Sequence, residues 1–166
     1  VDIVHPVFLL FMTFQIHSAQ AQIICNHAAS TYPDECCGII LGNLVDELKT
    51  VVEVMPTVNV WNTEAANFSD DDSTHTTRTR YAISPQVMLQ AQKTARNRAL
   101  HIIGIYHSHP DYPSIPSEWD SLYAWPTYSY IIVSVTNGKV GELQSWCLDD
   151  KHQFQSERIE HINLTT

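Results

Sequence analysis

The stretch HIIGIYHSHP, His101 to Pro110, constrains the fold more than any other part of the chain. Ile102, Ile103 and Ile105 follow one another with no charged side chain among them, the pattern of a strand buried in a sheet. Such a strand needs neighbours, and the sequence offers several. CGIILGNLV (Cys37 to Val45) is a short apolar run, and KTVVEVMPTVNVW (Lys49 to Trp61) is β-branched and partly alternating. SYIIVSVTNGKVGELQSWCL (Ser129 to Leu148) reads as two strands around a turn at Asn137 and Gly138, and QFQSERIEHINL near the end as one more edge strand.

Helical spacing appears in fewer places. Ile16, Ile23, Ile24, Ala28 and Ala29 predict a helix from Gln15 to Tyr32, stopped by Pro33. Ser84 as cap and Pro85 at the first helical position predict another, from Pro85 to about Arg98. SEWDSLYAW, Ser117 to Trp125, predicts a short third helix. Strands and helices mix without strict alternation, so the expected fold is α/β, a mixed central β-sheet packed by helices. At 166 residues and 44% hydrophobic content, one core and one domain are expected.

The ends and the linker between the second strand run and the central helix have their own character. VFLLFM (Val7 to Met12) and the AQA of Ala19 to Ala21 resemble parts of a secretory signal, but the first Lys or Arg is Lys49. A signal needs a basic start, and six apolar residues are too few to span a bilayer. Residues 1–11 are therefore read as an extension ahead of a domain covering 12–166. Asn62 to Arg80 is polar, aperiodic and holds the acidic Asp70 to Asp72, so a long surface loop is expected.

Charge and cysteine usage narrow the partners. Asp and Glu outnumber Lys and Arg 18 to 9, and no basic cluster with interleaved aromatics is present, which excludes a phosphate-tracking surface. Cys25, Cys36, Cys37 and Cys147 show no CxxC spacing, and a disulfide between adjacent Cys36 and Cys37 would be strained. A reducing cytoplasm is the expected setting. Nothing marks Cys36 as an activated thiol.

The chemistry concentrates between His107 and Asp120. On a strand, His107 and His109 point the same way, and two imidazoles on one face can share a cation. Two acids compete to complete the site. With Asp111 the string begins like the metallo-β-lactamase H-x-H-x-D-H, but Tyr112 stands where the next histidine belongs, and a cupin-type carboxylate is missing at Pro113 and Ser114. With Asp120 the string reads H-S-H-P-x6-S-x2-D, and Pro113 and Pro116 stiffen the connection. Ser117 to Asp120 also fits a helix capping box, a rival use for the same carboxylate. His101 and His75 have no partner spacing, and Trp119, Tyr123, Trp125 and Tyr130 read as core.

That second string closely resembles the JAMM (MPN+) metalloprotease signature, and YPDECCGIILG, GIYHSHP and AWPTYSYIIVSV extend the likeness from about Gln15 to Leu148. The chain looks most like the compact prokaryotic members. The resemblance implies a JAMM/MPN-like, cytidine-deaminase-like fold with one Zn2+ per chain held by His107, His109 and Asp120. It also lifts Glu35, otherwise an ordinary loop acid, to a general base, and gives Ser117 the role of oxyanion donor. The implied reaction is hydrolysis of a peptide or isopeptide bond at the C-terminal tail of a ubiquitin-like or sulfur-carrier protein. The loop of Asn62 to Arg80 would close over the tail. There is little room between Asp120 and Ser129 for a second insertion. The rivals are an MPN-type binding scaffold, which would lack the ligand set, and a zinc amidohydrolase of small substrates.

Overall fold

The computed structural model of the chain describes residues 12–67 and 74–163. Residues 1–11 and the acidic run of Asp70 to Asp72, each singled out in the sequence, lie outside them. Seven strands and four α-helices, with one 3-10 turn at Ala65–Asn67, appear among the described residues: β1 (Thr13–His17), α1 (Ser18–Thr31), β2 (Cys37–Val45), β3 (Leu48–Thr57), α2 (Trp61–Glu64), α3 (Pro85–Asn97), β4 (His101–Pro110), α4 (Glu118–Tyr123), β5 (Ser129–Thr136), β6 (Lys139–Leu148) and β7 (Phe154–Ile162).

The sheet is mixed, as expected, but it closes on itself in the order β1-β3-β2-β4-β5-β6-β7. Closure comes from β1, which runs parallel to β3 and to β7, with Thr13 opposite Arg158 and His17 opposite Ile162. Two expectations are corrected here. The helix predicted from Gln15 begins at Ser18, because Phe14 and Ile16 alternate into the core as strand residues and are almost fully buried. The last strand is no edge: it pairs with β6 on one side and β1 on the other.

β4 sits between antiparallel β2 and parallel β5. One face of this centre packs on α1, where Ile24 and Ala28 meet Ile40, Ile103, Ile131 and Val133. The other packs on α3, where Ala91 and Ala95 meet Ile39, Leu41 and Ile105. Both faces of β2 and β4 are covered, which is why these strands read as continuous apolar runs. Burying each of Ile39, Ile40 and Leu41 contributes roughly 1.5–3 kcal/mol. β2 lies so close to β4 that a Cβ on Gly38 would collide with the ring of Tyr106.

The turn between β5 and β6 carries positive φ at Asn137 (50°) and Gly138 (79°), the pairing that tight hairpins demand. Pro85 opens α3 as predicted, but Ser84 makes no side-chain cap: its hydroxyl donates to Gln86 Oε1 at 2.7 Å instead of accepting from the first turn. The linker is not uniformly loop. Trp61, fully buried, packs edge-on against Trp119 at 5.1 Å and donates its indole N–H to the His75 carbonyl at 2.9 Å, pinning the segment down at both ends. Among the described residues no helix is long and apolar enough to cross a membrane.

Candidate metal centre

The parallel pairing of β4 with β5 carries the ladder through His107, opposite Ile132, and His109, opposite Ser134. Strand geometry therefore aims both imidazoles the same way from the buried end of β4, where His107 is 0% and His109 6% exposed. His109 Nδ1 lies 2.8 Å from the Pro113 carbonyl, which accepts its proton and leaves Nε2 as a bare lone pair. The stiff proline loop thus selects the tautomer. His107 stacks on Tyr81, with ring centres 4.5 Å apart and planes 22° from parallel.

α4 brings the acid back. Asp120, on its first turn and 6% exposed, places Oδ1 3.2 Å from His107 Nε2 and Oδ2 3.4 Å from His109 Nε2, while the two Nε2 atoms are 3.1 Å apart. Three donors around one tetrahedral zinc at bonds of about 2.0–2.1 Å should stand roughly 3.3 Å from one another. The donor set, two imidazole nitrogens and one carboxylate, fits zinc in type, and the three side chains converge closely enough for a modest adjustment of the carboxylate to complete it.

Asp111 is engaged elsewhere. Its Oδ2 accepts from the Tyr32 hydroxyl at 2.9 Å and its Oδ1 from the Asn137 N–H at 2.9 Å, so it anchors the hairpin turn. It is Asp120 that shares the cluster, in which the three donor atoms lie within 4.8 Å of one another.

Glu35 and Ser117 line one groove of about 690 Å³ together with His109, Arg78, Arg80 and Tyr112. Glu35 is 7% exposed, and its carboxyl is pushed well above the ordinary range, first by burial and then by the charge of Asp120; Arg80 opposes the shift. The Asp120 carboxyl moves the other way: burial works to raise it, but the adjoining His107 and His109 rings and the Ser117 N–H hold it below the usual range. Burial lowers the pKa of His107, against the opposing pull of Asp120. Two carboxyls in one site are thus driven apart, one holding charge and one able to hold a proton.

Several neighbours carried no signal in the sequence. The Arg80 guanidinium lies 4.8 Å over the Trp119 ring and donates to His75 Nε2 at 3.1 Å. Tyr81 and Arg80 both precede α3 in a segment that reads only as a lead-in to it. Of the aromatics expected in the core, Trp119 (8%) and Tyr130 (4%) are buried, whereas Trp125 is 67% exposed and Tyr123 38%. α4 ends at Tyr123, and beyond it Trp125 has no helix to tuck it inward.

Known proteins are similar to this chain. The profile of the family described as prokaryotic homologs of the JAB domain matches residues 17–149. A desampylase of Pyrococcus furiosus is 32% identical over 81 residues, 48% of this chain and 54% of that protein, so the chain covers about half the length of that relative. A desampylase of Haloferax volcanii is 31% identical over 108 residues, 64% of this chain and 67% of its own. The deubiquitinase BRCC36 of Mus musculus is 24% identical across 88% of this chain and 60% of its own. A solution structure of a protein from Desulfitobacterium hafniense superposes with a TM-score of 0.73 at 24% identity, covering 92% of this chain and 94% of that one. With a family match that runs through every strand from β2 to β6, the chain belongs to the prokaryotic homologs of the JAB domain.

Proposed function

We propose that this chain is a zinc-dependent hydrolase of a peptide or isopeptide bond at the C-terminal tail of a ubiquitin-like protein, of the sulfur-carrier type. One observation carries the reading: three buried side chains, His107, His109 and Asp120, converge so that the two Nε2 atoms lie 3.1 Å apart and one ligand atom from each lies within 4.8 Å of the others. The names of the relatives, desampylase and deubiquitinase, support the choice of substrate class.

A zinc ion held by these residues supplies Lewis acidity and lowers the pKa of water towards neutrality. Glu35, buried and with a raised pKa, accepts a proton from the attacking water and returns it to the departing amine. Ser117 is the oxyanion donor. Its hydroxyl donates to Asp120 Oδ2 at 2.8 Å, and it can turn to the substrate because the Ser117 N–H still holds the same oxygen at 2.7 Å. His109 stays oriented by Pro113, and Arg80 limits how far burial raises Glu35. All four cysteines are free thiols, which suits a reducing, cytoplasmic setting.

The test is incubation of the metal-loaded chain with a ubiquitin-like carrier protein extended at its C-terminal glycine, followed by intact mass. Release of the extension, abolished by chelation and in Glu35→Gln, supports the reading. Cleavage of short unstructured peptides with no preference for the folded carrier would instead make it a small-amide hydrolase. A chain that binds the carrier without cutting would be a scaffold.

A further inference from the structure

Glu35 lies two residues ahead of β2, so the regular ladder does not hold its main chain. Its backbone groups are held instead by the segment that walls the groove. The Glu35 N–H donates to the Thr77 carbonyl at 2.7 Å, and the Glu35 carbonyl accepts from Asn59 Nδ2 at 3.0 Å. The same nitrogen donates to the Arg80 carbonyl at 2.9 Å, while Asn59 Oδ1 accepts the N–H of Trp61 at 3.0 Å and of Ala82 at 3.2 Å.

A primary amide offers two donor hydrogens and two acceptor lone pairs, and Asn59 uses all four. Its partners are backbone groups of fixed polarity, two carbonyls facing the nitrogen and two N–H groups facing the oxygen, so only one orientation of the amide satisfies them. Aspartate would lose both donors, and serine lacks the reach.

On the other side of Glu35, the Cys36 N–H donates to Ser108 Oγ at 2.8 Å and the Cys36 carbonyl accepts the Ser108 N–H at 3.2 Å. Ser108 sits between the two histidines on β4. Glu35 is therefore a joint, tied through Cys36 to the ligand strand and through Asn59 to the groove wall that carries Arg78 and Arg80.

We infer that Asn59 is a positioning residue that makes the groove wall and the main chain of Glu35 one unit, so that substrate contact with the wall sets Glu35 against His109 and Ser117. The catalytic consequence rests on the proposed function; the mechanical coupling does not.

The experiment has two readouts on the full chain loaded with zinc. Native-state hydrogen exchange should show the amides of Glu35, Trp61 and Ala82 opening together in the wild type. Asn59→Asp keeps the acceptor for Trp61 and Ala82 but removes both donors, and should speed Glu35 exchange by about tenfold or more while Ile103 and Ile131 stay protected. In cleavage of the carrier, the same variant should lose about 10²-fold in kcat with KM within about twofold and zinc content unchanged. Independent opening of Glu35 from Trp61 and Ala82 in the wild type, which needs no variant, overturns the inference. So does Asn59→Asp with wild-type kcat. If the wild type cleaves no carrier, the proposed function fails, and the exchange pattern alone decides whether Asn59 couples wall and Glu35.

Discussion

Ser117 and Asp120 cap each other across the first turn of α4. The Ser117 N–H and O–H both donate to Asp120 Oδ2, at 2.7 and 2.8 Å, and the Asp120 N–H returns a bond to Ser117 Oγ at 3.2 Å. Capping and metal coordination look like rivals for one carboxylate in the sequence. The geometry divides them: Oδ1 faces His107 while Oδ2 anchors the helix end and closes on His109.

Metal content follows from that division. Wild-type protein purified without added metal should carry about one zinc per chain, and His109→Ala and Asp120→Ala should carry none. Asp111→Ala should keep its zinc, because Asp111 serves Tyr32 and Asn137. Metal analysis of the four proteins decides this, and zinc lost with Asp111 but kept without Asp120 would remove the assigned acid.

Ser117→Ala separates the two roles of the serine. The N–H bond to Asp120 survives, so zinc should stay bound. The missing hydroxyl should lower kcat by about 10²–10³-fold if it is the oxyanion donor, and stability by about 0.5–2 kcal/mol as a lost cap. Unchanged kcat alongside the lower stability would leave Ser117 as a cap alone.

Glu35→Gln should abolish most turnover, with a loss of about 10²–10⁴-fold, while zinc content is retained. In the metal-free protein the same substitution should stabilise the fold at neutral pH. The folded-state pKa of Glu35 lies above its unfolded value, so its contribution to stability is complete below about pH 4.3 and is lost as pH rises through the folded value. Glutamine has no such loss. Denaturant unfolding at pH 4 and at pH 7 should show the two proteins diverging as pH rises, and parallel curves would mean that Glu35 ionises unopposed.

Gly38→Ala should destabilise the protein by about 1–3 kcal/mol, because the added methyl meets the Tyr106 ring, which is fully buried and cannot yield. Thermal unfolding reads this directly. Tyr106 precedes His107, so a loss of zinc affinity should accompany the loss of stability.

Local rules exposed part of this molecule. His107 and His109 follow from strand alternation, α3 from Pro85, and the β5–β6 hairpin from Asn137 and Gly138, because each signal lies within a few residues of its consequence. β1 was hidden by its own brevity, since Ile16 fits a helical run with Ile23 and Ile24 until its place opposite β7 is known. Glu35 is legible only by resemblance: a carboxylate after Pro33 and Asp34 looks like any loop acid, and its burial comes from chain 40 to 85 residues away. Asn59 gives no sequence signal at all, because its partners at 35, 61, 80 and 82 are main-chain atoms, identical for every residue type.

The pairing of β1 with β7 also has a consequence in time. Gln15 and Glu160, whose side chains meet at 3.1 Å across this seam, are 145 positions apart, whereas the β5–β6 ladder grows outward from a two-residue turn. The entropy of closing a chain segment must be met before distant contacts give anything back. The ring is therefore expected to assemble from the hairpins β2–β3 and β5–β6 inward to β4, with the two chain ends joining last. That order builds the strand bearing His107 and His109 before the barrel is shut, so the ligand strand can be in place while the seam is still open.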